Sequence, residues 1–524
     1  MASRPHKFLN ISHRASFLIF SWGSFIAIAL NILTLKDGHN WGEDFSQYIL
    51  SATNLLQGKP YASGIMFESP FSYPPGFSIL LMPFLKIFGV NFPILKSLNI
   101  LFWFAGIVCW YIMFRQRLGE GWAVLGGILL AFSSHFFTFK QNIVSDTPFF
   151  FFASACLLFF SNYEKSENAA DQRKWLVGAL CFMAFAFLIR SIGLSLFLAV
   201  FFYLFFIKKD LKGGSMAIPF LAGALFADVV SRGVNPGFFN VVASDPAQFL
   251  HLVFQNMSLV LRCILWVILP PQTGLTEIIF KFLERLLIWT APVIYLAALI
   301  IFLKGTFQKK VSFSGCFIFF YVFMFVFWSG FGDTVAMAAR MALILTGPLI
   351  IFLIESVQWL ARFADGSSRR SGKIQNQRIS INFFPGSLAA VFVLIFIINI
   401  FNITVLFNFD DDVLLKKENK ELFAWVKQNV AEEERYMFWA PRTMALMTGR
   451  VGAALWTRDP ETQKNFFVRI KKLSIGYLIL IKPTDHPLVA VLQSNPHLAS
   501  PAWENEYYIV FKTHLPSEDE KAIH

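Results

Sequence analysis

The sequence predicts an all-α polytopic membrane bundle followed by a small α/β domain. Hydrophobic residues make up 56% of the 524 residues and charged residues only 15%, whereas soluble domains carry about 25% charged residues. Apolar segments of spanning length, about 20 residues, recur as far as residue 405, and the composition then changes sharply. We therefore expect a membrane module over 1–405 and a separate domain over 406–524.

Eleven segments are apolar and long enough to be predicted as transmembrane helices. They are residues 16–35, 93–114, 120–138, 143–162, 174–190, 191–207, 215–232, 286–304, 311–328, 340–359 and 385–405. The first segment follows a basic N-terminus, as in a signal peptide, but lacks a convincing small-x-small cleavage site and is predicted to stay attached. The apolar segment 76–89 is short and interrupted by Pro83, so we predict an interfacial or re-entrant piece.

The distribution of positive charge predicts the orientation of this bundle. Lys and Arg cluster in alternate loops, while the short connections 36–75 and 139–142 carry only Lys36, Lys59 and Lys140. By the positive-inside rule, the N-terminus is cytoplasmic and, with eleven spans, the C-terminus is extracytoplasmic. We expect a multi-pass membrane protein with this orientation. The net charge of +12 is thereby explained by topology, without a nucleic-acid partner.

Three parts then face outward: the loop 36–75, the connection 233–285 and the tail. Segments 246–269 and 275–285 read as amphipathic helices lying on the membrane, with an additional pair of spans as the alternative. In the tail, a helix is predicted over roughly 416–430 and strands over 477–481 and 507–511.

The cysteine and histidine patterns exclude several classes of site. The five cysteines occur singly, without CxxC spacing, so neither a disulfide framework nor a cysteine metal site is predicted. The sequence contains no HExxH motif and no glycine-rich nucleotide loop.

Two adjacent carboxylates, Glu43 and Asp44, follow the first span in a loop rich in Trp, Tyr, Gly and Pro. The spacing predicts a short helix of about 12 residues ending at Gly58, a typical C-cap residue, with Asp44 at or near its N-terminus. A carboxylate there can take a proton from an acceptor hydroxyl. The alternative is an acid that only stabilises the helix start.

Three further charged residues are predicted at the outer ends of spans. Asp146, in Ser145-Asp-Thr-Pro148, precedes an almost wholly apolar run, and a carboxylate there needs pairing, hydration or a function. Helix capping is the alternative. Arg190 and Arg340 lie on the outer side, against the positive-inside trend. A guanidinium binds phosphate oxygens in bidentate geometry, whereas snorkelling to headgroups is the alternative.

These residues, in this order and on this side, resemble the GT-C superfamily of polytopic glycosyltransferases over nearly the whole chain. The nearest members are the protein O-mannosyltransferases and the lipid A aminoarabinose transferases. Asp44 and Tyr48 resemble the start of the family's first outward helix, and Gly58-Lys-Pro-Tyr61 and Tyr73-Pro-Pro-Gly76 resemble the next two elements of the family pattern.

The family's later motifs also have counterparts. Its second outward acid maps to Asp146, and its two arginines map to Arg190 in Arg190-Ser-Ile-Gly193 and to Arg340. Two departures matter. The acid pair reads Glu43-Asp44 instead of Asp-Glu, which leaves open which carboxylate is catalytic, and Tyr73 replaces a basic residue of the aminoarabinose transferases.

The resemblance implies an inverting transferase in a bacterial inner membrane, or in a topologically equivalent one. It would move a sugar from a polyprenyl-phosphate donor to an acceptor hydroxyl on a protein, lipid or glycan. Asp44 would deprotonate the acceptor, and Arg190 and Arg340 would neutralise the departing phosphate. The implied catalytic acids are Glu43, Asp44 and Asp146, and the implied substrate-binding residues are His39, Tyr48, Tyr61 and Tyr73.

The sequence leaves two questions open. Asp44 and Asp146 could jointly hold a divalent cation such as Mg²⁺ or Mn²⁺, but two acids far apart in sequence do not require one. A multi-span transporter, or a flippase or polymerase of lipid-linked glycans, is the alternative function. The transferase hypothesis requires Asp44, Asp146, Arg190 and Arg340 to meet in one outward cavity that is open to lipid.

Overall fold

The computed structural model is predominantly helical and ends in a small mixed sheet. It describes residues 11–67, 73–232, 246–268, 274–309, 311–327, 339–356, 377–406, 412–455, 460–482 and 486–514. The helices up to residue 232 are α1 (His13–Leu33), α2 (Glu43–Leu56), α3 (Gly76–Phe88), α4 (Phe92–Leu118), α5 (Glu120–Ala131), α6 (Ser134–Phe139), α7 (Asp146–Lys165), α8 (Ala169–Ile189), α9 (Leu194–Phe202) and α10 (Leu211–Arg232).

The later helices are α11 (Pro246–Ile268), α12 (Gly274–Phe307), α13 (Phe313–Phe327), α14 (Gln377–Leu406), α15 (Lys417–Asn429), α16 (Pro441–Thr448), α17 (Pro460–Lys472) and α18 (His486–Gln493). A 3₁₀ turn, Ser191–Gly193, joins α8 to α9, and a π-helical segment, Tyr203–Lys208, extends α9. A second 3₁₀ turn, Arg340–Leu345, continues as helix over 346–356.

These elements form two compact units. The first comprises the described residues of 1–35, 96–140 and 144–409, and the second those of 36–95, 141–143 and 410–524. The expected domain bounds, 1–405 and 406–524, stay a prediction.

The first unit is a bundle of apolar helices. Aromatic side chains fill its interior: the ring of Trp103 on α4 lies 4.5 Å from those of Phe136 and Phe150. Other apolar side chains point outward, and only 6% of the most apolar stretch of Phe280–Phe307 is buried within the protein. Exposing such an apolar surface to water would be unfavourable over a helix of 28 residues, so we conclude that lipid covers it.

Within the described part of the chain, seven helices are long and apolar enough to cross a membrane. They are His13–Leu33, Phe92–Leu118, Glu120–Phe139, Ala169–Ile189, Ser191–Lys208, Leu211–Ser231 and Phe280–Phe307. This confirms a multi-pass membrane protein. The remaining four predicted spans also fall on helices, at Asp146–Lys165, Phe313–Phe327, 346–356 and Gln377–Leu406.

The connection 233–285 differs from expectation in one respect. Pro246–Ile268 is a helix, as predicted, but residues 275–285 are not a separate surface helix. They form the first turns of α12, which runs without a break from Gly274 to Phe307. The charged residues in this stretch predicted a separate amphipathic helix, but they lie on the first turns of a helix that continues into an apolar part. There Glu277 and Lys281 pair with each other one turn apart.

In the second unit, the tail forms a five-stranded sheet with order β2-β1-β3-β5-β4. The strands are β1 (Arg435–Phe438), β2 (Gly452–Ala454), β3 (Ile475–Ile481), β4 (Ala499–Glu504) and β5 (Tyr508–Thr513). β1 pairs in parallel with β2 and β3, while β5 is antiparallel to β3 and β4. Leu478, Leu480 and Phe511 are fully buried in its core, which confirms the predicted α/β domain.

The loop helices α2 and α3 belong to this same unit. The amphipathic helix α2 packs against both α3 and α16. It ends near Gly58, whose φ of +70° is a left-handed conformation that glycine adopts without strain. The apolar segment around Pro83 is a regular helix, Gly76–Phe88.

Candidate active site

Asp44 lies in the first turn of α2, as the sequence predicts. The α2 N-cap residue, Gly42, has no side chain with which to accept a hydrogen bond. The Tyr73 hydroxyl donates a hydrogen bond to Asp44 Oδ1 at 2.5 Å, and the Asp44 carboxylate stays partly exposed. This contact orients one carboxylate oxygen beside a helix N-terminus, where negative charge is favourable.

Two other tyrosines support this corner of the second unit. The Tyr48 ring lies 5.0 Å from the Tyr73 ring and 4.9 Å from Phe77. The buried Tyr61 hydroxyl donates to the Tyr73 carbonyl at 3.0 Å and lies 3.2 Å from the Ser78 hydroxyl. Tyr61 therefore holds the backbone that presents Tyr73, while Tyr48 packs against its ring.

Glu43 has different partners from those of Asp44. Its carboxylate accepts hydrogen bonds from the backbone N–H groups of Arg442, at 3.3 Å, and Thr443, at 3.2 Å. These are the second and third residues of α16, whose N-cap residue, Ala440, has no side-chain acceptor. Glu43 therefore caps α16 from a distant segment. Burial raises the pKa of the Glu43 carboxyl from 4.5 to about 7, although Arg442 and the N–H donors favour its charged form.

His39 is buried in the second unit. Its Nε2 accepts from the Ile143 N–H at 3.2 Å and its Nδ1 lies 3.1 Å from the Asn40 carbonyl. The ring stacks on Phe45 at 3.7 Å. Both ring nitrogens contact backbone, so the visible role of His39 is to hold neighbouring segments together, and substrate binding stays a prediction.

Asp146, Arg190 and Arg340 come together in the first unit. Arg190 Nη1 lies 2.6 Å from Asp146 Oδ1, and Arg340 Nε lies 3.9 Å from Asp146 Oδ2. The Asp146 side chain is only 3% exposed. The Arg190 guanidinium also lies 3.3 Å from the Ser145 hydroxyl. The three side chains carry two positive charges and one negative charge, so the cluster keeps a net charge of +1.

Local structure explains how these three side chains meet. Asp146 occupies the first turn of α7, and Ser145 before it makes no side-chain cap. Arg190 ends α8 with extended backbone angles, φ −146° and ψ 131°, before the 3₁₀ turn that includes Gly193. Arg340 begins the turn Arg340–Leu345. Since α7 packs on α8 and also contacts that turn, the ends of three segments lie side by side.

Sequence reasoning missed two sets of residues. Arg442 and Thr443 contact Glu43 across about 400 residues of sequence, and no local pattern signals that pairing. Lys140 is fully buried. Its ammonium lies 3.4 Å from the centre of the Phe137 ring and donates to Thr34 Oγ1 and the Asn31 carbonyl. A lysine in a short connection inside an apolar region could have indicated this burial, because such a charge needs partners.

The two groups of predicted residues fall in different units: Glu43, Asp44 and the tyrosines in the second, Asp146 and the arginines in the first. Their meeting in one chamber stays a prediction. Among the described residues, no group of three or more His, Cys, Asp or Glu side chains could hold a metal ion. Two guanidinium groups beside Asp146 suit a phosphate better than a cation.

Comparison with known proteins agrees with this architecture. Residues 72–232 match the family of dolichyl-phosphate-mannose-protein mannosyltransferases, which is less than half of the chain. No curated protein matches the sequence significantly.

Solved structures match over a much longer range. Apo ArnT from Cupriavidus metallidurans has 14% identity and a TM-score of 0.52, over 95% of this chain and 98% of that one. The Archaeoglobus fulgidus oligosaccharyltransferase has 13% identity and a TM-score of 0.52, over 95% of this chain and 74% of that one. Both are GT-C glycosyltransferases. At these identities the likeness concerns the fold, and it confirms the resemblance found in the sequence: the chain has the fold of the GT-C membrane glycosyltransferases.

Proposed function

We propose that the protein is an inverting membrane glycosyltransferase that transfers a sugar from a polyprenyl-phosphate donor to an acceptor hydroxyl on the extracytoplasmic side. The observation that carries this proposal is the cluster of Asp146, Arg190 and Arg340 at helix ends in a GT-C fold. A buried cluster with net positive charge is suited to bind an anionic leaving group.

The phosphate of the donor is the anion that fits this cluster. Asp146 lies 2.6 Å from Arg190 and 3.9 Å from Arg340, so one carboxylate brings the two guanidinium groups together. Guanidinium groups offer paired N–H donors that match phosphate oxygens. As the sugar leaves, negative charge develops on that phosphate, and fixed positive charge lowers the barrier.

Asp44 is the residue that we assign as general base. Tyr73 donates a hydrogen bond to Oδ1 and thereby orients the partly exposed carboxylate, which can accept the proton of the acceptor hydroxyl. Glu43 is less suited to this role because both of its oxygens accept backbone N–H groups. The activated oxygen attacks the anomeric carbon opposite the departing phosphate, which inverts the configuration there.

The partners follow from this chemistry. The lipid tail of the donor and the surrounding membrane lipids cover the apolar helices, and the acceptor is a protein, lipid or glycan hydroxyl. We place the reaction on the outer side of a bacterial inner membrane, with the N-terminus cytoplasmic. The match of residues 72–232 to a mannosyltransferase family supports a lipid-phosphate sugar donor. A divalent cation held by Asp44 and Asp146 stays a prediction.

The decisive variant is Asp44→Asn in the purified full-length protein. Removal of a general base typically lowers the rate by about 10²–10⁴-fold, so we expect transfer from a polyprenyl-phosphate sugar to be nearly abolished. Asp37→Asn is the matched control, because Asp37 is an exposed acid of the same loop, and it should retain activity. Radiolabelled sugar transfer, with and without EDTA, measures both turnover and any need for a cation. Unchanged turnover in Asp44→Asn would refute the assignment.

A further inference from the structure

The N-termini of α2 and α16 lie against each other in the second unit, and this contact involves residues that the proposed chemistry does not use. Thr443 Oγ1 donates to the Gly42 carbonyl at 3.2 Å and lies 3.2 Å from the Ser46 hydroxyl. With the two N–H groups that Glu43 accepts, four polar contacts join the first turns of the two helices.

Arg442 extends the contact from this junction to Tyr73. Its side chain is only 13% exposed, and its Nε lies 3.9 Å from Glu43 Oε2 and 3.0 Å from Met66 Sδ. The guanidinium carbon lies 5.9 Å from the centre of the Tyr73 ring, within the range of a cation–π interaction. Tyr73 is the residue that donates a hydrogen bond to Asp44.

We propose that the start of α16 is a latch through which the C-terminal domain positions the candidate base. The latch consists of Glu43, Arg442 and Thr443. Glu43 and Thr443 fix the first turn of α2, on which Asp44 lies, and Arg442 fixes the ring of Tyr73. These three are positioning residues, and the inference rests on the proposed function of Asp44.

The latch also gives a physical reason for the adjacent acids. The first N–H groups of a helix lack partners within the helix, and α16 has alanine at its N-cap. A long carboxylate on a neighbouring helix can reach them. Because Glu43 supplies this cap, the first turn of α2 is fixed against α16. Asp44 lies on that same turn, so its position depends on the C-terminal domain, which is distant in sequence. Small displacements of a catalytic group, about 1 Å, can lower a rate about 10²-fold.

The experiment compares four variants of the full-length protein in lipid nanodiscs: Glu43→Ala, Glu43→Gln, the pair Glu43→Ala with Ala440→Ser, and the control Glu432→Ala. Ala440→Ser supplies a local cap to α16 and so separates helix stability from the position of α2. Glu432 is an acid of the same unit that is 81% exposed, and its carboxylate lies 3.2 Å from Arg450 Nη1. The readouts are amide hydrogen exchange, and kcat and KM for the lipid-linked donor.

Glu43→Ala should increase exchange in residues 43–56 and 441–448 and lower kcat by about 10–100-fold, with little change in donor KM. Glu43→Gln keeps an oxygen acceptor and should recover most of the rate. Ala440→Ser should restore protection of 441–448 without restoring kcat or protection of 43–56. The control should resemble the unmodified protein.

Full recovery of kcat by Ala440→Ser would overturn the latch, since the role of Glu43 would then be only to stabilise α16. Unchanged exchange in residues 43–56 of Glu43→Ala would overturn it as well. If the unmodified protein transfers no sugar from any polyprenyl-phosphate donor, the proposed function fails, while the exchange measurement still decides whether the latch exists.

Discussion

Glu43 and Asp44 are neighbours in sequence, but their side chains have different partners. Glu43 accepts N–H groups from the start of α16, while Asp44 accepts a hydrogen bond from Tyr73. The sequence predicted the position of the pair in the first turn of a helix, and left open which acid is the base. The proposed function assigns the base to Asp44, whose carboxylate Tyr73 orients, and gives Glu43 the role of capping α16.

The raised pKa of Glu43 predicts how stability depends on pH. Because the native pKa of about 7 lies above the usual 4.5, the native state holds this proton more tightly than the unfolded chain does. The stability that the proton provides is therefore full below pH 4.5 and is lost as pH rises through about 7. Glu43 is 26% exposed, so solvent screening limits the loss, which we expect to be about 1–3 kcal/mol.

Hydrogen exchange of the C-terminal domain between about pH 5 and pH 8 measures this dependence, after correction for intrinsic exchange rates. Glu43→Gln should remove it, and Glu432→Gln should leave it in place. Equal pH dependence in the unmodified protein and Glu43→Gln would contradict the assignment to this carboxyl.

At the scale of the element, the turn after α8 shows why a glycine accompanies the arginine. The Gly193 N–H donates to the Arg190 carbonyl at 2.8 Å, which closes the turn. A Cβ at Gly193 would lie 2.7 Å from the backbone N and Cα of Phe187, so the backbone itself would have to move. The sequence pattern Arg-Ser-Ile-Gly indicated a motif, but the close approach to the preceding helix is visible only in three dimensions.

Gly193→Ala should displace the Arg190 backbone and destabilise the protein by about 1–3 kcal/mol, a typical cost of overpacking. We also expect a raised KM for the lipid-linked donor, because Arg190 is assigned to its phosphate. Gly223→Ala is the matched control: nothing lies within 4 Å of its Cβ position in α10. Thermal unfolding and donor kinetics in detergent distinguish the two variants. A donor KM equal to that of the control would show that the backbone at Gly193 does not affect phosphate binding by Arg190, contrary to this prediction.

At the scale of the whole molecule, the apolar helices confirm a multi-pass membrane protein, and the likeness to solved structures gives it the GT-C fold. The orientation rests on the charge distribution. The lysines and arginines in alternate loops predict a cytoplasmic N-terminus and an extracytoplasmic tail. Hydropathy alone predicts the spanning helices because a segment in lipid must satisfy its own backbone hydrogen bonds, which an α-helix does.

Cysteine labelling tests the predicted orientation. Four of the five native cysteines are buried and Cys181 is exposed. The Cys181→Ser variant should therefore react little with the label and is the parent for single-cysteine variants. A membrane-impermeant maleimide should label Glu432→Cys in intact spheroplasts, and should label Arg173→Cys only after permeabilisation. Both positions are exposed in the structure. The reverse pattern would show that the protein is inserted the other way round.

The sequence by itself determined the membrane class, most helices, the α/β tail and the residues worth testing. These properties depend on local patterns: apolar segments about 20 residues long, acids before a helix, and alternation in strands. Tertiary structure alone decided that Arg190 pairs with Asp146 and that Glu43 caps α16 from 399 residues away. Side-chain contacts of this kind depend on how distant segments pack. Periodicity along the chain does not predict them, because it reports only local structure.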